Sequence, residues 1–358
     1  MKKRIIGIDM ARALAIVGMV IVNFKIAFGD SGNSWLQLFV HLFEGKAAAT
    51  FVVLAGVGLS LMTKSAIRNQ DHKKLKTARI RIIKRAIFLF VIGLSYMPIW
   101  PADILHFYGI YMLVALVLIN QSSKILWGTI AAFILAFPVL LMFFDYEAGW
   151  NFTTFDYAGF WTIDGFSRNL FFNGFHPVFP WTAFMLFGVW YGRQDLYDDT
   201  FVKKSFRISL VIFIAIQLFS FGSIRLFSAA DPASLQDLKY ILGTSPMPPL
   251  PLYMLNGISI SVTVISACIL FARKFGENII VIALTETGKL AFTFYVAHVV
   301  IGMGVVDELF SKPLGSYSIT FSVIFALAFS LACILFAVVW TKYRKMGPLE
   351  WLMRKIVD

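Results

Sequence analysis

The sequence predicts an all-α fold, a polytopic membrane bundle of about ten transmembrane helices forming one integral domain over residues 1–358. Three observations lead there. Hydrophobic residues make up 59% and charged residues only 15%, with a mean hydropathy of +0.76, too apolar for an ordinary soluble protein. Apolar runs of about 20 residues recur, and at about 1.5 Å per residue each covers the hydrocarbon core of a bilayer. Lys and Arg concentrate between those runs on alternate sides.

The first run, Ile8 to Phe28 (IDMARALAIVGMVIVNFKIAF), carries Asp9 and Arg12 near one end and Asn23 and Lys25 near the other. A charge near the middle of a spanning helix costs on the order of 3 kcal/mol, so such groups are expected to face protein or a watery cavity. Asp9 and Arg12 are three residues apart on one helix face, placed to neutralise each other as an ion pair or to form the polar wall of a site. The preceding Met1, Lys2, Lys3 and Arg4 resemble the start of a signal peptide, but no small-residue cleavage site follows, which predicts a retained helix. The other spans are expected at 36–62, 82–100, 104–120, 125–144, 177–192, 206–227, 251–272, 282–306 and 317–341, the second long and the sixth short.

With the N-terminus in the cytoplasm, the basic residues fall overwhelmingly inside. The 64–85 segment alone holds Lys64, Arg68, Lys73, Lys74, Lys76, Arg79, Arg81, Lys84 and Arg85, whereas the outer segments hold Lys25, Arg168, Arg225, Lys239 and Lys312. An even number of spans puts both termini inside. The net charge of +12 is thereby read as topology, and nucleic acid is not an expected partner. Cys268 and Cys333 both lie in apolar runs as packing residues, with no disulfide framework.

Two outer segments are long. Residues 145–176 are rich in aromatics, acids and glycines and form either an interfacial belt or a lid over an outward-facing site; residues 228–250 end in SPMPPLPL. No internal repeat suggests the two inverted halves of a secondary transporter.

The chemistry centres on histidine. His41, His106, His176 and His298 lie in apolar runs, and the topology places all four on the outer side, His41 and His298 about two turns below the ends of their spans. Ionisable groups inside membranes mark pathways and sites, so at least one of the four is expected to do proton chemistry. His72, in the basic inner loop, is read as solvated. Glu44 lies three residues after His41 on the same face, placed to orient it as a general base. Lys46, near the middle of that span, demands an anion from another helix or a ligand. Gly45, Ala47, Ala48, Ala49, Gly56 and Gly58 suit close helix packing. No metal is expected, because no histidine pair has the short spacing of a helical metal motif, and no Walker, GxSxG or dinucleotide motif occurs.

Several stretches together carry a family resemblance: IIGIDMARALAIVGMVIVNF, GKAAATFVVLAGVGLSL, DILHFYGIYMLVA, FHPVFPWTAFMLFGVWYGR, GKLAFTFYVAH and the tail GPLEWLMRK. They resemble the YeiB-like family of bacterial membrane proteins, which is related to heparan-α-glucosaminide N-acetyltransferase-like and acyltransferase-3-like proteins. The resemblance covers most of the chain, the outer loops least. It implies a bacterial inner-membrane acyltransferase that moves an acyl group, acetyl first, from cytoplasmic acyl-CoA through a helix-lined tunnel to an acceptor on the far side. A small molecule, glycan or lipid is the implied acceptor, with membrane lipids and a second copy of the chain as further partners.

The departures from the family pattern matter. Ala13 stands where a glycine follows the arginine of the first helix, and Asn23 stands where acyltransferase-3-like proteins keep a working histidine. The heparan-type histidine position falls near Asn33 to Trp35, which holds none, and His41 lies deeper in the second span. Acyl transfer is therefore implied by fold rather than by a matching motif. The expected site takes its base from His41 or His106 first and His176 or His298 next, with Glu44 as orienter. Asn23 or Lys46 would stabilise the oxyanion, and Trp181 of the FPW stretch would contact substrate. Arg12, Arg193 and the 64–85 segment would attract the phosphates of CoA. A transporter of a small organic anion or lipid, with histidines as proton relays, is the rival reading.

Overall fold

The computed structural model describes residues 4–309 and 313–358 apart from residue 153; residues 1–3 of the basic start and Lys312 lie outside the described residues. Helices dominate, as the composition requires of a chain that must satisfy its backbone in lipid. In chain order they are α1 (Ile6–Phe28), α2 (Ser34–His41), α3 (Lys46–Arg68), α4 (His72–Tyr96), α5 (Leu105–Leu118) and α6 (Ser123–Phe143). A two-stranded antiparallel ribbon, β1 (Trp150–Asn151) with β2 (Asp156–Tyr157), follows, then α7 (Ile163–Arg168), α8 (Val178–Arg193), α9 (Asp199–Ala230), α10 (Leu235–Leu242) and α11 (Pro251–Lys274). The chain ends with α12 (Ile279–Lys289), α13 (Ala291–Ala297), α14 (Gly304–Leu309), α15 (Ile319–Tyr343) and α16 (Pro348–Val357). Side-chain caps begin many of them: Asn33, Asp71, Ser122, Asn278 and Ser318 each accept a hydrogen bond from an N–H of the first turn.

Seven stretches of the described residues are long and apolar enough to span a membrane: Ile6–Phe28, Ser34–Arg68, Ser123–Phe143, Asp199–Ala229, Pro251–Lys274, Ala291–Leu309 and Ile319–Tyr343. The other three expected spans fall short for separate reasons. The helix around 82–100 begins at His72 and is basic through its first half. The helix at 104–120 has 14 residues and that at 177–192 has 16, reaching about 21 and 24 Å against the roughly 30 Å of a hydrocarbon core.

The second span is not one rod. A turn over 42–45 separates α2 from α3, with Gly45 at φ +68°, a conformation that side chains disfavour. His41 therefore ends a short helix, and Lys46 opens α3 instead of sitting in its middle. Gly45 is a turn residue, and Gly58 faces open space; of the expected packing glycines, Gly56 does approach another helix, its α-carbon facing the Met185 carbonyl while Gly188 faces that of Val53. The ninth span is likewise interrupted, at Leu290 and by a π-helical turn over His298–Met303.

The described chain divides into two compact units. The first holds residues 1–51, 197–207 and 261–356; here α1 is the central rod, packed on α12, α13 and α15, with Phe24 and Phe28 fully buried among Phe321, Phe325 and Phe329. The second holds residues 52–196, 208–260 and 357–358, built on the α4–α5 hairpin and on α8, which packs against α5 and α6. Large apolar side chains such as Val211, Leu218 and Phe221 of α9 and Leu331, Leu335 and Val339 of α15 point outward, as lipid-facing surfaces do.

Candidate functional site

In the second unit, α4 ends at Tyr96 and α5 begins at Leu105, and the turn between them carries Asp103 into the interior. Asp103 accepts hydrogen bonds from both Tyr96 and His106. Tyr96 donates its hydroxyl to Oδ1 at 2.5 Å, while the His106 backbone N–H and ring Nδ1 lie 3.1 and 2.9 Å from Oδ2. A carboxylate only accepts, so Nδ1 carries its hydrogen and Nε2 is the lone-pair nitrogen of the neutral ring. That Nε2 is buried and has no hydrogen-bond partner. Phe107 packs on the ring at 3.9 Å between centroids, and Phe160 meets it edge-on at 6.4 Å.

His176, which enters α8, joins this group. One ring nitrogen hydrogen-bonds the Asp103 backbone, Nδ1 is buried without a partner, and Tyr111 donates its hydroxyl to the His176 carbonyl. Trp181, wholly buried one turn into α8, meets the imidazole edge-on at 4.6 Å, and its Nε1 also has no partner. Leaving a buried polar atom unsatisfied costs about 1–3 kcal/mol. Three such nitrogens, on His106, His176 and Trp181, therefore mark a place suited to receive a polar ligand or water.

Segment 145–176 packs against this cluster through Phe160 and Phe175. Asn173 donates to the Tyr146 and Ala148 carbonyls at 2.9 and 2.8 Å and accepts from the Tyr157 hydroxyl at 2.7 Å; Arg168 Nε donates to that hydroxyl at 2.8 Å. Phe160, Phe166, Phe172 and Phe175 pack inward from it, while Trp161 and Ile163 stay exposed.

The first unit holds the other two histidines in different states. His41 lies 2.6 Å from Glu44, as their spacing foretold, but its side chain is 69% exposed. Glu44 is shared with Lys25 at 3.2 Å, and Lys25 also reaches Asp30 at 3.2 Å. Lys46 meets no anionic partner within ion-pair distance among the described residues; its Nζ donates to the His41 carbonyl at 3.0 Å, because it caps the turn instead of crossing the bilayer centre. His298 starts the π turn, fully buried, with Nδ1 donating to the Tyr295 carbonyl and Nε2 at 2.8 Å from the Asn23 amide. Asn23 thus meets a histidine from a distant part of the chain.

Arg12 and Arg193, two of the basic residues expected to meet phosphate, are committed within the protein. Asp9 holds Arg12 at 2.8 Å as expected, and Arg4 in addition at 2.6 Å. Arg193 donates to the carbonyls of Gln121, Ile119 and Leu118, capping the end of α5, so the guanidinium expected to meet phosphate is engaged within the protein. Among the described residues no three or more His, Cys, Asp or Glu side chains gather as a metal site.

Asp103 and Tyr96 were not singled out from the sequence. The available signal was an acid three residues before His106, the reverse of the His41 and Glu44 spacing. Tyr96 had none, since its contact depends on how the α4–α5 turn closes.

Compared with known families, residues 4–229 match the model described as heparan-alpha-glucosaminide N-acetyltransferase, catalytic. Residues 193–358 match the model described as protein of unknown function (DUF418). The comparison with curated proteins finds no match.

Proposed function

Because the chain belongs to the heparan-alpha-glucosaminide N-acetyltransferase catalytic-domain family, a membrane acetyltransferase-like family, we propose that it transfers an acyl group, acetyl first, from acyl-CoA to a hydroxyl or amine acceptor, with His106 as general base. The observation that carries this reading is the buried Tyr96–Asp103–His106 relay, whose Nε2 has no hydrogen-bond partner.

In the proposed step, Nε2 of His106 removes the acceptor proton as the acceptor heteroatom attacks the thioester carbonyl. Asp103 stabilises the imidazolium through Nδ1–H, and Tyr96 holds the carboxylate in place. The indole N–H of Trp181 donates to the tetrahedral oxyanion. Collapse breaks the C–S bond, and the imidazolium returns its proton to the CoA sulfur. His176 supplies a second acceptor for orienting the acceptor group. The basic face of α4, where Lys73, Lys76, Arg79 and Arg81 are exposed, attracts the phosphates of the donor. Cytoplasmic termini, a bacterial inner-membrane location and an extracytoplasmic acceptor are part of the same proposal, supported by the Lys and Arg asymmetry of the loops.

Purified protein incubated with acyl-labelled acetyl-CoA and a mixture of amine and hydroxyl acceptors tests it. Release of free CoA coupled to label on an acceptor is expected. No thioester turnover, together with proton-driven uptake of a small anion into vesicles, assigns the chain to the transporter reading instead.

A further inference from the structure

The C-terminal helix α16 and the end of α15 form a second feature that the acyl-transfer reading does not use. Between them opens a groove of about 690 Å³, lined by Trp340, Tyr343, Arg344, Lys345, Trp351 and Leu352 among others. Its floor is fixed. Trp340 Nε1 donates to the Met346 carbonyl at 2.8 Å, and Arg354 reaches the Met346 sulfur at 3.5 Å. The inner side of α16 is pinned to the α12–α13 break, because Glu350 accepts from the Thr293 N–H at 3.0 Å and hydroxyl at 2.5 Å, while Leu349 N–H donates to that hydroxyl at 3.1 Å. Held this way, α16 cannot roll its outer face inward.

That outer face is both apolar and basic. Trp351, Leu352 and Ile356 are exposed, as is Tyr343 at the end of α15. Lys342, Arg344, Lys345, Arg354 and Lys355 surround them, and Lys355 sits over the Trp351 ring at 5.4 Å. The single acid of the segment 342–355, Glu350, is turned toward Thr293. Along α15 the exposed Leu331, Leu335 and Val339 lead an apolar strip to the groove. A headgroup that carries negative charge and is joined to acyl chains matches both halves of this surface. Neither a free anion nor a neutral lipid does.

We propose that the α15–α16 groove binds an anionic phospholipid, its phosphate between Arg344 and Lys345, its glycerol against Trp351 and its chains along α15. Native mass spectrometry of the purified full chain, with phosphatidylglycerol or phosphatidylcholine supplied in the micelle, tests this. Retention of phosphatidylglycerol over phosphatidylcholine is expected, falling about tenfold in an Arg344→Gln, Lys345→Gln double variant and unchanged in Lys203→Gln, Lys204→Gln. Equal retention of the two lipids, or of phosphatidylglycerol by the double variant, overturns the proposal. Displacement of the lipid by inorganic phosphate or coenzyme A overturns it too and assigns the groove to a soluble phosphate. A photoreactive phosphatidylglycerol on the unmodified chain gives a reading independent of the variants' folding: labelling within residues 340–352 supports the groove, and labelling confined elsewhere refutes it.

Discussion

His106 and His298 start from the same cue, an imidazole in an apolar run, and both are wholly buried, yet they end in opposite states. His298 has both ring nitrogens engaged, one by the Tyr295 carbonyl and one by Asn23, so it serves its own unit as a tie between α1 and the π turn. His106 has one nitrogen held by a carboxylate and the other buried with nothing to bond. Burial alone therefore does not distinguish the two. The count of satisfied nitrogens does, because an unmet lone pair in the interior is a standing cost that a polar ligand would relieve.

The sharpest way to break this contrast is to truncate both. His106→Ala is expected to lower acyl transfer by at least about a hundredfold, the range of a lost general base, while the protein keeps its elution profile and helicity. His298→Ala is expected to act on stability instead, losing about 1–3 kcal/mol as Asn23 is left unpaired, with activity per folded molecule preserved. Full activity in a folded His106→Ala protein would end the assignment. Next in size are two further groups of the proposed site: Asp103→Asn removes the charge behind Nδ1, and Trp181→Phe removes the indole N–H while keeping an aromatic, if smaller, ring. Each is expected to cost about 10- to 100-fold in kcat with KM little changed, and a pure rise in KM would make them binding residues.

Smaller again is His41→Ala, expected to change turnover less than about twofold. Its side chain is mostly in solvent, and Glu44 retains Lys25 as partner; a loss like that of His106→Ala would move the site to the first unit. The smallest effect concerns Glu350, whose pKa is raised by burial against the opposing hydrogen bonds from Thr293. A carboxyl raised in the docked state favours docking when protonated, so attachment of α16 is firmest below the usual carboxylate pKa and weakens as pH rises through the raised value. Amide exchange over residues 347–357 is expected to quicken over that rise, and Glu350→Gln is expected to remove the dependence.

Much of this molecule was legible in the linear order of its residues. Composition and run length announced a helical membrane bundle, and helical spacing foretold the pairs that are local: Asp9 with Arg12, and His41 with Glu44. Loops resisted the same treatment. Gly45 splits the second span, which moved His41 to an exposed helix end and Lys46 to a turn; a lone glycine in an apolar run does not disclose its φ.

What the sequence by itself determined, then, was the class of fold, the family and the residue types able to do proton chemistry, since these follow from hydrophobicity, periodicity and motif. Only the tertiary structure decided which histidines keep a ring nitrogen without a partner. That depends on whether a carbonyl, an amide or nothing lies within 3 Å of each ring, and contacts between residues 65 or 275 positions apart, such as Tyr111 with His176 or Asn23 with His298, are created by packing and leave no periodic trace in the chain.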